Sequence, residues 1–166
     1  MTRAALEAAI PAAERVLLDT SAILAYLSGA EPASAIAAEL IDGLVASGRN
    51  PAIVSAITVC EVLVRPNRAG SSSAIRLVDD FLGHFPNLRV DPVTGDVARL
   101  GARIRAATAA PTPDALILAT AVEGSAAIAV GNDAGWPGIA ERAGLDLKVV
   151  VLGQVAGAGG ATTNRR

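Results

Sequence analysis

Residues 15–27 read RVLLDTSAILAYL, and the parsing of this stretch decides the fold. An apolar run, Val16-Leu17-Leu18, stops at Asp19, and a segment with helical apolar spacing begins just beyond it. Asp, Thr and Ser all serve as helix N-caps, so Asp19-Thr20-Ser21 marks a strand running directly into a helix. A carboxylate at such a junction either caps the helix or does chemistry. The choice rests on whether acids stand at matching junctions elsewhere.

The strand-then-helix unit recurs. Short runs rich in Val, Ile, Leu or Ala, without polar alternation, predict buried parallel strands at 15–18, 52–55, 88–90, 126–130 and 147–152. Helices are expected near 21–28, 32–47, 58–65, 72–84, 94–107, 113–123 and 136–143. Pro32, Pro51, Pro66, Pro86, Pro92, Pro111 and Pro137 fall at or beside the boundaries, where proline is tolerated. The series predicts an α/β fold, a three-layer α/β/α sandwich around a mainly parallel sheet of about five strands. Residues 15–152 form the expected domain, 1–14 an N-terminal extension, and 153–166 a small, Gly-rich, frayed tail. The run Gly157-Ala158-Gly159-Gly160 is not read as a dinucleotide loop, because Thr162 and the few residues after it leave no helix to hold a pyrophosphate.

Composition narrows the chemistry. A chain of 166 residues, 52% hydrophobic, fits one domain with a sizeable core. No apolar run reaches the roughly 18 residues of a membrane span, and the N-terminus, with its acids and proline, does not read as a secretory signal. One cysteine cannot form an internal disulfide, which fits a reducing cytoplasm. A net charge of −2 supplies no global field to draw in nucleic acid. Of the 14 cations, Lys148 is the only lysine, and it follows no glycine-rich phosphate loop. With His84 alone, histidine zinc sites and histidine-dependent triads are disfavoured.

Acids recur at the expected carboxyl edge of the sheet, where parallel α/β folds bind ligands. Asp19 ends the first strand, Glu61 lies in the helix after the second, Asp114 opens a helix in PTPDALILATA, and Asp133 follows the fourth strand in AIAVGNDAGW. Each has an ordinary explanation. Asp114 complements a helix dipole, Asp133 suits a Gly-Asn-Asp-Ala-Gly turn, and Glu61 could lie on a solvated helix face. Taken together they point elsewhere. Gathered carboxylates raise one another's pKa values unless a cation neutralises them, and hard cations such as Mg²⁺ or Mn²⁺ prefer all-oxygen ligands. Such an ion orients and activates water and offsets charge on a phosphodiester.

These residues resemble a known family. LLDTSAIL, a Glu in the helix after the second strand, PDALILATA and AVGND are similar, in order and spacing, to the motifs of PIN-domain ribonucleases, and among them to bacterial VapC-type toxins. The resemblance covers roughly residues 15–152. It implies a PIN-like fold and an acidic site of Asp19, Glu61, Asp114 and Asp133, with Asp19 and Asp114 as metal ligands. Glu61 then coordinates directly or through water, and Asp133 completes or supports a second metal position. Ser21 stands at the hydroxyl position of the first motif, where it holds water or phosphate, or simply caps the helix. Asn132 replaces the Thr or Ser of many relatives and retains a hydrogen-bonding side chain. The resemblance further implies Mg²⁺- or Mn²⁺-dependent RNA hydrolysis by in-line attack of water, leaving a 5′-phosphate and a 3′-hydroxyl. The expected targets are tRNA or a ribosomal RNA loop. The expected partners are a VapB-like antitoxin, whose C-terminal segment fills a groove at the active site, and a second copy in a homodimer.

Substrate grip must come from local cations. Arg65, Arg68 and Arg76, and Arg99 with Arg103 at i, i+4 and Arg105 nearby, are candidate phosphate contacts or plain surface charges. Aromatic content of 2% leaves little base stacking, so recognition falls to backbone contacts and RNA shape. Tyr26 and Leu27 are candidates for an antitoxin groove, with core packing the simpler reading of Leu27. Cys60 is read as a small buried hydrophobe.

Other classes fit less well. An aspartyl-nucleophile phosphatase wants a second Asp two residues after the first, where this chain has Ser21, and a lysine nearer the site than Lys148. A receiver-like signalling domain wants a paired acid before Asp19 and a lysine at a strand end. A catalytically inert PIN-like binding module would lack an acid, and none is missing.

Overall fold

In a computed structural model describing residues 3–158, Val16-Leu17-Leu18 forms β1 (Val16–Leu18), the middle strand of a five-stranded sheet. Its three residues are fully buried and alternate between two cores. β2 (Ala52–Ser55), β3 (Leu88–Asp91), β4 (Ile128–Gly131) and β5 (Lys148–Val151) complete the sheet in the order β3-β2-β1-β4-β5, every pair parallel. Val16 pairs with Ala52 on one side and Ile128 on the other. The expected strands are all present and the sheet is wholly parallel, but the edge strand β3 is not buried as expected, with Arg89 and Val90 exposed.

Val16, Leu18, Val54 and Val130 point into one core, covered by α1 (Arg3–Ala9), α2 (Thr20–Ser28), α3 (Ser34–Ala38), α4 (Ala56–Arg68) and α5 (Ser72–His84). Leu17, Ile53 and Ala129 point into the other, covered by α6 (Gly95–Thr108), α7 (Thr112–Glu123) and α8 (Trp136–Arg142). This is the expected three-layer sandwich. The chain winds outward from β1 through β2 to β3, then crosses back to β4 on β1's other side. The order therefore reverses between β1 and β4, and a crevice at their carboxyl ends follows from that reversal.

Several local expectations need correction. The helix expected over 32–47 splits into α3 and a π-helical turn, Glu39–Val45, in which the amide of Ala46 bonds five residues back to the Ile41 carbonyl. Apolar spacing alone did not separate the two, because Leu40, Ile41, Leu44 and Val45 are buried in the wider turn as they would be in an α-helix. Pro66 does not end its helix: α4 runs through it to Arg68, and the neighbouring Asn67 side chain donates to the Leu63 carbonyl at 2.8 Å.

The ends hold more structure than composition suggested. Within the first 14 residues, α1 packs Leu6 and the following Ile10 fully out of solvent. Buried Asn50 fixes the segment after it, donating to the carbonyls of Pro11 and Glu14 at 2.8 Å each. At the other end, α9 (Leu152–Ala158) occupies the start of the expected frayed tail and sets Leu152 in the first core. The remainder of that tail, 159–166, with the second half of the Gly157–Gly160 run, lies outside the described residues.

Candidate active site

Asp19 follows β1 at the switch point, its amide donating to the Val130 carbonyl of β4 at 2.9 Å. It is only 6% exposed. Its carboxylate caps α2, with Oδ2 accepting from the Ser21 amide at 3.2 Å and the Ser21 hydroxyl at 2.6 Å. Cap and candidate ligand are thus the same residue. Burial pushes the carboxyl above its ordinary value; hydrogen bonds from Ser21 and Thr20 oppose that shift, and the charge of Glu61 adds to it.

Glu61 is carried by α4, whose N-cap is Ser55 at the end of β2. Half-buried, it turns toward α2 and accepts a 2.5 Å hydrogen bond from Thr20 Oγ1. Asp114 stands in the first turn of α7, one residue after Pro113, whose missing amide is no loss there. Burial raises the Asp114 pKa first, followed by the charges of Asp133, Asp19 and Glu61. The indole N–H of Trp136, buried and without a partner at hydrogen-bond distance, lies near enough to oppose this by favouring the charged form. Asp133 is exposed beyond β4 and accepts from the Gly135 amide at 2.7 Å, the turn chemistry expected of it.

Asp114 thus feels the charges of the other three acids, and Asp19 that of Glu61. Among the described residues none of the four has a cationic side chain within salt-bridge distance. Uncompensated, mutually repelling carboxylates around a buried Asp form the all-oxygen donor set that suits Mg²⁺ or Mn²⁺. The side chains are close but not converged: no three of them are gathered on a single point as metal ligands among the described residues. Glu61 is held by Thr20 and Asp133 by its own turn.

Gly131, which sequence reasoning did not single out, is part of this arrangement. A Cβ there would lie 2.9 Å from both Cβ and Oδ2 of Asp19, so only glycine lets β4 pass beside the carboxylate. The signal was present in AVGND, but a lone strand glycine does not say what approaches it. Ser21 Oγ, besides donating to Asp19, accepts from the Asn132 amide at 2.8 Å. The Asn132 side chain accepts from the Gly153 amide of α9 at 3.1 Å.

Arg65, Arg68, Arg99 and Arg103 are all exposed. Arg99 pairs with Asp96 at 2.7 Å, and none of the four contacts the acids. Cys60 is exposed, contrary to the buried reading, because its neighbours Val59 and Val62 take the inward positions on α4. Tyr26 packs on Phe81 and Phe85 and donates to Asp42 at 2.7 Å. A cavity of about 440 Å³ lies away from the acids, lined by Arg15, Arg89, Asp91 and Gly124 among others. A smaller groove of about 220 Å³ runs between α2, α4 and α5, lined by Leu24, Leu27, Val62, Pro66, Leu77 and Val78. No described helix is long and apolar enough to cross a membrane.

Similar structures come from several bacteria. A toxin–antitoxin complex from Klebsiella pneumoniae aligns at TM-score 0.57 and 21% identity, covering 82% of this chain and 97% of that one. VapC20 of Mycobacterium tuberculosis, a sarcin–ricin loop cleaving toxin, aligns at 0.60 and 18%, covering 74% and 93%. VapBC2 of Rickettsia felis, bound to a DNA fragment from its promoter, aligns at 0.60 and 17%, covering 81% and 97%. No curated protein matches the chain by sequence. The PIN domain model matches residues 16–141, a span that takes in all four acids. On that match, and on the parallel sheet whose order reverses beside Asp19, the chain belongs to the PIN domain family.

Proposed function

We propose that the chain is a Mg²⁺- or Mn²⁺-dependent endoribonuclease, the toxin of a toxin–antitoxin pair that arrests translation by cutting tRNA or ribosomal RNA. The observation that carries this is the set of four acids, Asp19 and Asp133 after β1 and β4, Glu61 on α4 and Asp114 on α7, whose charges act on Asp114 and Asp19 with no salt-bridged cation among the described residues. Asp19 and Asp114 hold the ion, Glu61 does so directly or through water, and Asp133 supports it from the exposed side. A bound divalent cation supplies activation of water and offsets charge on the scissile phosphodiester. Ser21 fixes the orientation of Asp19, and the backbone of Asn132 fixes Ser21. Gly131 keeps the space beside Asp19 clear. RNA is gripped through its phosphates by exposed arginines, Arg65 and Arg68 at the end of α4 and Arg99 and Arg103 on α6.

The groove between α2, α4 and α5 is the seat of the antitoxin in this reading. Val62 lines it one residue after Glu61, so an occupant abuts the acidic site. Leu77 is 54% exposed there, and Arg65 and Glu31 stand beside it to pair with a charged segment. The toxin works in the cytoplasm, as a homodimer. The similarity of the fold to VapC20 and to antitoxin-bound assemblies supports the assignment.

The test is cleavage of total RNA with Mg²⁺ or Mn²⁺ by the wild-type chain beside Asp19→Asn and Asp114→Asn. Loss of new RNA ends in both variants is the expected outcome. An identical RNA pattern for wild type and variants removes the nuclease reading and leaves a binding module. Induced expression without growth arrest removes the toxin role.

A further inference from the structure

Two consecutive hydroxyls at the start of α2 serve two different carboxylates. Ser21 donates to Asp19 within its own turn, at 2.6 Å. Thr20 donates to Glu61 of α4 at 2.5 Å, across 41 positions of sequence. Capping does not require Thr20, because Asp19 already accepts from the Ser21 amide as the N-cap. The Thr20 hydroxyl is the described hydrogen-bond partner of the Glu61 side chain, which has no described salt bridge.

A glutamate with three side-chain torsions loses much rotamer freedom when it is fixed. Here that freedom is restrained by the residue directly after Asp19. The bond engages Oε2, leaving Oε1 without a described partner, and Thr20 follows directly on Asp19, whose carboxyl feels the Glu61 charge. Ligating carboxylates are characteristically held by such hydrogen bonds, and losing one weakens metal binding 10–100-fold, on the order seen in other proteins.

We infer that Thr20 is a positioning residue: its hydroxyl sets the Glu61 carboxylate beside Asp19 so that the two bind a divalent cation together. The inference rests on the metal-dependent reading above and gives Thr20 a role distinct from that of Ser21.

The experiment is Mn²⁺ titration calorimetry on the full chain, with metal-free thermal melts alongside. The variants are Thr20→Val, Thr20→Ala, Thr20→Ser, Glu61→Ala and Thr20→Val combined with Glu61→Ala. Thr20→Val and Thr20→Ala should weaken Mn²⁺ binding about 10–100-fold. Thr20→Ser should restore it, and melting of the metal-free protein should stay close to wild type. On the Glu61→Ala background, Thr20→Val should cost nothing further, since the side chain it positions is gone. Wild-type affinity in both Thr20→Val and Thr20→Ala overturns the inference, as does an equal loss on both backgrounds. A lowered melting temperature with unchanged affinity also overturns it, leaving only a tether between α2 and α4. Failure of the wild-type chain to bind Mn²⁺ overturns the metal reading itself, and no variant is needed to see it.

Discussion

Gly131 and Asp19 are packed so closely that any side chain on the first would strike the carboxylate of the second, with a Cβ 2.9 Å from Oδ2. Asp19 cannot swing aside at little cost, because Ser21 holds the same oxygen through two hydrogen bonds. Gly131→Ala is therefore expected to lower stability by about 1–3 kcal/mol in denaturant melts, as overpacking does. RNA cleavage should fall further than the stability loss explains. Cleavage equal to wild type would show that the Asp19 position tolerates displacement.

Stability should depend on pH in a definite direction when no divalent ion is present. Asp19 and Asp114 are both raised above the ordinary 3.8, so the folded chain keeps protons that the unfolded chain has released. Stability then falls as pH rises through the window from about 3.8 upward to the raised values. Asp19→Asn should flatten that slope and be at least as stable as wild type at neutral pH, a loss of function with a gain of stability. Denaturant midpoints across the acid range measure both. Adding Mn²⁺ should stabilise wild type at neutral pH more than at acid pH, since protonation competes with the cation.

Tyr26 provides an independent check, since it is the sole tyrosine. Burial, then its hydrogen bond to Asp42 and the charge of that carboxylate, push the phenol up to about 12 from 10.0. Absorbance at the phenolate band should stay low up to pH well above 10.0 and rise earlier in Asp42→Asn. Because the folded phenol keeps its proton longer, stability should decline as pH rises from 10.0 toward 12.

Asn50 tests whether the N-terminal segment belongs to the fold. It is fully buried and donates to Pro11 and Glu14 carbonyls, so Asn50→Ala leaves two acceptors without their partner. A loss of at least about 1–3 kcal/mol is expected, with faster amide exchange in α1. An Asn50→Ala variant as stable as wild type would detach α1 from the folded unit.

What the chain's letters reveal is uneven, and the reason is range. Strands such as Val16-Leu17-Leu18 declare themselves through continuous apolar runs, because burial on both faces leaves no room for alternation. The elements bearing the four acids were legible for the same reason, each acid standing at the edge of such a run or in the helix behind it. The bond from Thr20 to Glu61 was not legible, because nothing local in either segment refers to the other. Nor was Trp136 beside Asp114, which depends on where α8 docks against β5 and α6. At the termini, Ala- and Gly-rich segments carry weak helical signals, and their order comes from docking of Leu6, Ile10 and Leu152 rather than from propensity.

The hydrogen bonds around Ser21 link distant parts of the chain. Gly153 donates to Asn132, Asn132 donates to Ser21, and Ser21 donates to Asp19. The first turn of the last described helix is thus three donors away from the deepest carboxylate. Trimming the chain back to Leu152, or attaching an affinity tag there for purification, would disturb a residue that looks remote in sequence. Handles on this protein belong beyond the described C-terminal residues, with cleavage checked before and after their removal.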